Sequence, residues 1–282
     1  MAKKRRRCRR RMLRVFGVIL ILIAALIAWA AIDSRNIDVT RFTVSGAPEA
    51  FSGFKIVQIS DLHNAEFGTD NQKLIDILKS EAPDAIVITG DLIDARRTNT
   101  EIAESFARRC MEIADCYYVP GNHEARLGST YDAFESALIA DGVNVLRNGS
   151  VRIRKEMDAI RIIGVDDPAF AKASDAITNL DAALEALSSD DFTILLAHRP
   201  ELIDEYSKWG IDLVLSGHAH GGQIRLPGIG GLYAPGQGFF PRYTSGNYTV
   251  GDTEMIVSRG IGNSAFPLRV NDRPEVVIVT LK

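Results

Sequence analysis

The 282-residue sequence predicts an α/β fold: a four-layer α/β/β/α sandwich of two mixed sheets, preceded by one N-terminal transmembrane helix. Three observations predict it. An uncharged run of 18 residues, Val15–Ile32, follows a strongly basic N-terminus. Beyond it, apolar runs of strand length alternate with stretches of helical period, the pattern of βαβ units on a largely parallel sheet. Consecutive strands with turn residues between them then interrupt that alternation, which calls for antiparallel pairing and a second sheet.

Residues 1–14 form a basic tail carrying nine of the 33 Lys and Arg (Lys3, Lys4, Arg5, Arg6, Arg7, Arg9, Arg10, Arg11, Arg14) and no acid. The rest of the chain keeps 24 basic against 36 acidic residues, a net charge of −12. An acidic body behind a basic tag argues against nucleic acid as a partner, because a phosphate backbone needs a basic surface on the folded domain. Residues 15–32, at about 1.5 Å rise per residue, nearly cross a hydrocarbon core of about 30 Å. Two readings fit this segment. A signal sequence would use Ala28-Trp29-Ala30 as its cleavage site, and RRRMLR, Arg9 to Arg14, resembles a twin-arginine export signal. A retained anchor is favoured by a run longer and richer in Ile and Leu than the 7–15 residues, roughly, of a signal h-region. The positive-inside rule keeps the tail in the cytoplasm and puts the body beyond the cell membrane, single-pass if anchored and exported if cleaved.

Residues 33–50 read as a linker entering a first edge strand, VTRFTVSG. Residues 51–282 are the body, of a size that one core can serve. FKIVQIS is followed by helical NQKLIDILKSEA, DAIVIT by EIAESFARRCMEIA, and YYVP by YDAFESALIADG. NVLRNGSVRIRKEMDAIRIIGV then reads as consecutive strands with an Asn-Gly hairpin turn. After the helix SDAITNLDAALEALSS, the strands FTILLAH and DLVLSGH flank the helix ELIDEYSKW, and the tail returns to strands, ending in PEVVIVTLK. The cysteines give no Cys-x-x-Cys pattern, so a thiolate zinc site is not expected. Cys8 sits in the tail, open to palmitoylation or idle; Cys110 and Cys116 are either a local pair or two buried thiols.

Each of the five histidines stands at or near the end of an apolar run: His63 after KIVQIS, His123 after YYVPGN, His198 after TILLA, and His218 and His220 after DLVLSG. In an open α/β sheet the loops leaving the strand carboxyl ends share one crevice. With the histidines stand Asp61, Asp91 and Asn122, in the order D-x-H, G-D, G-N-H-E, H, G-H-x-H. Mixed carboxylate, amide and imidazole donors without thiolates suit Mn²⁺, Fe²⁺ or Zn²⁺, and there are too many for one tetrahedral ion.

This ordered set resembles the calcineurin-like metallophosphoesterase superfamily, and GGQIRLP, VSRGIGNS and PLRVNDRPEVVIVTL are similar to a membrane-anchored or exported bacterial branch of it. The resemblance implies two divalent metal ions. Asp61, His63 and His220 would hold the first, and Asn122, His198 and His218 the second. Asp91 would bridge them, and His123 would stay free of metal beside the scissile phosphorus as the catalytic acid. Two dications about 3.5–4 Å apart lower the pKa of a bridging water, the expected nucleophile, and hold phosphate oxygens. The implied activity is hydrolysis of phosphoric esters, most readily phosphodiesters, with a lipid-linked substrate suggested by the anchor and a monomer expected. Some relatives cleave the pyrophosphate of UDP-2,3-diacylglucosamine, a cytoplasmic reagent on the other side from this body. A metal-binding envelope scaffold without catalysis is the reading of another class.

Nearby residues have blander roles open to them. Ala95 after Asp94 breaks the Asp-Arg-Gly continuation of phosphoprotein phosphatases, leaving Arg96 and Arg97 as a solvated pair. Arg199 and Arg259 are expected in salt bridges, and Glu124 either orients His123 or caps the next turn. Within residues 234–243, Phe239, Phe240 and Tyr243, with Pro235 and Pro241, form either an exposed apolar lip or ordinary packing under a loop.

Overall fold

The computed structural model describes residues 2–172, 175–187, 191–263 and 266–282. The side chains of residues 2–11, 176, 178, 179, 186 and 187 fall outside this description, as do the roles suggested for Cys8 and for Arg9–Arg11 and the two ends of the helix expected over 174–189. Ser264, within VSRGIGNS, is outside it too.

Helix α1 (Ala2–Asp33) contains a 22-residue stretch, Met12–Asp33, long and apolar enough to cross a membrane. Its side chains from Met12 are almost all exposed, and only Ala30 is buried. Strand β1 (Asp38–Val44) follows at once and lies parallel to β16 (Glu275–Leu281), so the segment expected as linker and edge strand ties the end of α1 to the first sheet.

The body then runs β2 (Lys55–Ile59), α2 (Gln72–Glu81), β3 (Ala85–Thr89), α3 (Thr100–Met111), β4 (Asp115–Val119), α4 (Ser129–Ala140) and β5 (Asn144–Val145). These strands complete a six-stranded sheet in the order β1-β16-β2-β3-β4-β5, with β2 to β5 parallel and β16 antiparallel to β2. The helices form where the apolar spacing is helical. In α3, Ala103, Phe106, Ala107 and Cys110 are buried at i, i+3, i+4 and i+7, and Asn99 caps the start by accepting from the Glu101 N–H.

The second half comprises β6 (Gly149–Lys155), β7 (Asp158–Gly164), α5 (Ala176–Leu187), β8 (Phe192–Leu196), α6 (Ile203–Tyr206) and β9 (Leu213–Ser216). Two short ribbons follow, β10 (Arg225–Leu226) with β11 (Gly230–Gly231) and β12 (Tyr233–Ala234) with β13 (Gly238–Phe239), before β14 (Gly246–Val250) and β15 (Thr253–Val257). The second sheet has the order β14-β15-β9-β8-β7-β6, parallel in its middle and antiparallel at both edges.

The central strands are apolar on both faces because each sheet is covered twice. In β2, Ile56 turns to the second sheet while Val57 and Ile59 turn to α2 and α3. In β8, Ile194 and Leu196 turn to the first sheet and Leu195 to the outer helices. Alternation at period 2 thus divides continuous apolar runs between three cores, which is the four-layer sandwich.

Two expectations are corrected. Asn148-Gly149 is not the hairpin turn: Lys155 pairs with Asp158, so Glu156-Met157 makes it, with Glu156 at φ +56°. Asn148, at φ +48°, instead carries the chain from β5 in one sheet to β6 in the other. The helix expected over ELIDEYSKW is a single α turn between two 3₁₀ turns, because Pro200 opens the segment and Gly210 ends it at φ +66°. Cys110 and Cys116 are free and buried.

Candidate metal centre

The sandwich brings the carboxyl ends of β2, β3, β4, β8 and β9 to one edge, and every candidate ligand lies just beyond one of them. Asp61, His63, Asp91, His123, Asn122, His198, His218 and His220 are all buried there. Five of them, Asp61, His63, Asp91, His218 and His220, have φ between +47° and +64°. Such backbone costs on the order of 1–3 kcal/mol per residue and persists where the surroundings impose it, most often at functional sites. Glycine makes the approach possible. A Cβ at Gly217 would lie 1.8 Å from Ser60 Oγ and 2.4 Å from Asp61 Oδ2.

The side chains form two clusters joined at one carboxylate. In the first, His63 Nε2 and His220 Nε2 are 3.2 Å apart, and Asp61 Oδ1 is 3.3 Å from His220 Nε2 and 3.8 Å from His63 Nε2. In the second, His218 Nδ1 and His198 Nε2 are 3.1 Å apart. Asp91 Oδ2 stands between them, 3.6 Å from His63 Nε2 and 3.2 Å from His198 Nε2.

The remaining hydrogen bonds fix which atoms are free. Asp61 Oδ2 accepts from Ser60 Oγ and the His218 N–H, leaving Oδ1 buried without a partner. Asp91 Oδ1 accepts from the His123 N–H at 2.8 Å, leaving Oδ2 to the clusters. His198 Nδ1 donates to the Thr89 carbonyl at 2.7 Å, which turns Nε2 toward Asp91 and His218. Asn122 Oδ1 is also buried and unpartnered. Buried polar atoms are ordinarily satisfied, so the converging oxygens and nitrogens of Asp61, Asp91, His63, His198, His218 and His220 fit a cation.

Electrostatics agree. Burial pushes His63 down to about 3 and holds His218 and His220 well below the usual imidazole range, so all three present neutral rings. Burial also pushes Asp61 up to about 6, against the pull of His198. Burial opposes charge on Asp91 and His198 as well, but at 3.2 Å their mutual attraction prevails, holding Asp91 low and His198 high. The proton in that pair is the one a metal ion would displace.

Residues 54–222 match the family model for calcineurin-like phosphoesterases. The chain belongs to the calcineurin-like phosphoesterase family. It is 33% identical over 258 residues to YkuE, an uncharacterized metallophosphoesterase of Bacillus subtilis, covering 89% of this chain and 87% of that one. A transmembrane protein with a metallophosphoesterase domain from Danio rerio is 28% identical over 278 residues, covering 93% of this chain and 62% of that protein. Among solved structures, TT1561 of Thermus thermophilus shares the fold at TM-score 0.52 and 16% identity, over 74% of this chain and 91% of that one. The family implies divalent metal ions and a phosphoester substrate.

Within this candidate site, Glu124 has neither role expected of it. Its fully buried carboxylate accepts the N–H groups of Asp91 (2.9 Å), Gly121 (2.8 Å) and Ile93 (3.0 Å), locking the β3 and β4 loops together. Burial and nearby Asp91 push its carboxyl up to about 8, yet three donors and no acceptor around it favour the anion. Glu124→Gln places an amide NH₂ against one of those N–H groups. An expected loss of about 1–3 kcal/mol follows, read by denaturant melts; an unchanged midpoint would refute the lock.

His123 is oriented by Ala95 and Asp94, which the sequence marked only for the broken Asp-Arg-Gly continuation. Ala95 donates its N–H to His123 Nδ1 at 3.0 Å, and Asp94 Oδ1 lies 3.4 Å from the same nitrogen. Asp94 also holds Arg96 (3.0 Å) and Arg97 (3.3 Å), so that pair is ion-paired rather than merely solvated. Asp94 was visible in GDLID, three residues past Asp91, but nothing local shows that it faces His123. Arg199 pairs with Asp167 at 2.8 Å and Arg259 with Glu275 at 3.1 Å, the expected salt bridges, though partly buried. Arg269 and Asp272, also unremarked, lie buried behind the loop of His220, where a Cβ on Gly221 would meet Asp272 Oδ1 at 1.9 Å. The 234–243 loop divides: Tyr243 is buried in the outer core, while Phe239 and Phe240 are exposed.

Proposed function

We propose that this protein is a two-metal hydrolase of phosphoric esters, working as a phosphodiesterase held at a membrane by α1. The convergence of two donor clusters on Asp91 Oδ2 carries the reading. Asp61, His63 and His220 would hold one ion, Asn122, His198 and His218 the other, and Asp91 both. Mn²⁺, Zn²⁺ or Fe²⁺ suits these donors. When bound, such ions supply Lewis acidity toward the phosphoryl group and an activated water.

The chain's own groups do the rest. Two carboxylates among seven ligands leave the site net positive, which attracts a phosphate. Distance alone also groups His123 with His63 and Asp91 as possible ligands. The Ala95 N–H at Nδ1 opposes that grouping, because a neutral ring accepting there carries its proton on Nε2. His123 thus acts as a neutral hydrogen-bond donor from Nε2, stabilising the charge that develops on the phosphoryl or leaving oxygen as the ester bond breaks, while the leaving oxygen takes its proton from water. The depression over His63, with Arg97, Asn64 and Asn99 in its walls, is where the ester would enter.

The test uses the full chain in detergent, stripped of metal and reloaded with Mn²⁺ or Zn²⁺. Bis(p-nitrophenyl) phosphate should turn over only in the loaded protein, faster than the monoester, with activity saturating at two ions per chain. Two bound ions without turnover of either ester would sink the hydrolase and leave a metal-binding scaffold.

A further inference from the structure

We propose that the ribbons β10–β13 rest in the surface of the same bilayer that α1 enters, so that the metal centre draws its phosphoester from a lipid headgroup. This deepens, and rests on, the hydrolase and anchor readings above.

The ribbons carry an apolar rim that the core does not use. Leu226, Ile229, Tyr233, Phe239, Phe240 and Phe266 are all exposed, Phe239 and Ile229 by 72% and 66%. Isolated apolar side chains on a surface are ordinary, but a contiguous set of this kind marks an interaction site. Phe240 adopts φ +54°, an unusual conformation for a bulky residue. Beside the rim lies a groove of about 230 Å³, lined by Ile224, Leu232, Tyr233, Pro235 and Phe266, with Gly222 in its wall only two residues past His220. The groove thus borders the loop that carries His220.

The occupant is set by where α1 ends. Arg273 binds Asp33, the last residue of α1, at 2.6 Å. Three residues earlier, across a bend at Asn271 (φ +51°), Val270 pairs with Ile224 at the start of the ribbons. The end of α1 and the groove are therefore joined through residues 270–273. A second path gives the same neighbourhood. Ala31, Ser34 and Arg35 share a depression with Asn263 and Pro267, while Phe266, next to Pro267, lines the groove. Trp29, near the end of the apolar stretch, is 44% exposed, the residue type that sits at a membrane surface. Lipid surrounding α1 therefore lies within reach of the rim, whereas a protein partner would have to displace it.

The full chain is reconstituted in nanodiscs of phosphatidylcholine and phosphatidylglycerol. Phe240→Trp adds a fluorophore to the native Trp29 and Trp209, read as the difference from wild type. Lipids brominated on the acyl chain should quench that added emission; an unquenched difference overturns the docking. In Phe239→Ser/Phe240→Ser, the ratio of phosphatidylglycerol turnover to bis(p-nitrophenyl) phosphate turnover should fall about tenfold. An unchanged ratio, including equal loss of both activities, overturns the substrate class. Quenching by bromolipid in a protein that hydrolyses neither ester would leave the docking standing and remove the hydrolase reading instead.

Discussion

His123→Ala is expected to keep its metal and lose turnover by about 10²–10³-fold, the range for one positioned hydrogen-bond donor to developing charge. The geometry behind the expectation is the contact from the Ala95 N–H to Nδ1 at 3.0 Å, shorter than the 3.4 Å to Asp94 Oδ1, which puts the ring proton on Nε2 and removes that nitrogen's lone pair from the ligand set. Removing the ring leaves Asp61, His63, Asp91, Asn122, His198, His218 and His220 in place. Metal analysis and steady-state kinetics on the same preparation check it. Loss of metal in step with activity would mean that His123 is a ligand, as its closeness to His63 and Asp91 alone would allow.

Asp91→Asn is expected to empty both sites, with turnover falling at least as far. The His123 N–H donates to Asp91 Oδ1 at 2.8 Å, so an amide here keeps its oxygen on that bond. Its NH₂ then takes the place of Oδ2, the atom that now stands 3.6 Å from His63 Nε2 and 3.2 Å from His198 Nε2. Two donors would point where cations need a lone pair and a negative charge. Metal titration should show both affinities weakened; loss confined to one ion would mean that Asp91 does not serve both clusters.

Much of the fold could be read from local pattern. The alternation of FKIVQIS, DAIVIT and their helices specified the parallel part of the first sheet, because a strand buried on both faces is apolar throughout and its helix is apolar at 3.6-residue spacing. Where turn chemistry stood alone it misled. Asn148-Gly149 has the composition of a hairpin turn, but the same left-handed backbone serves a crossing between sheets, and the hairpin closed on Glu156-Met157, a pair with no turn signature. ELIDEYSKW had helical spacing, yet Pro200 and the left-handed Gly210 left room for only one α turn.

The site divides in the same way. Its residues stood out because strand exits are local in sequence: a short apolar run followed by Gly and a polar ligand recurs at Asp91, Asn122 and His218, and the chemistry of these residue types limits the metals they can hold. Tertiary structure alone decided the contacts between segments. Glu124 reaches the Asp91 loop 33 residues away, the His218 N–H fixes Asp61 across 157 residues, and Arg273 ties the end of α1 beside the apolar ribbons 240 residues from Asp33. No spacing rule records such contacts, because a hydrogen bond depends on where two loops meet in space. The sequence by itself determined which atoms could bind metal; the packing of two sheets decided which of those atoms are left without a partner, and which face of the body lies beside the N-terminal apolar helix.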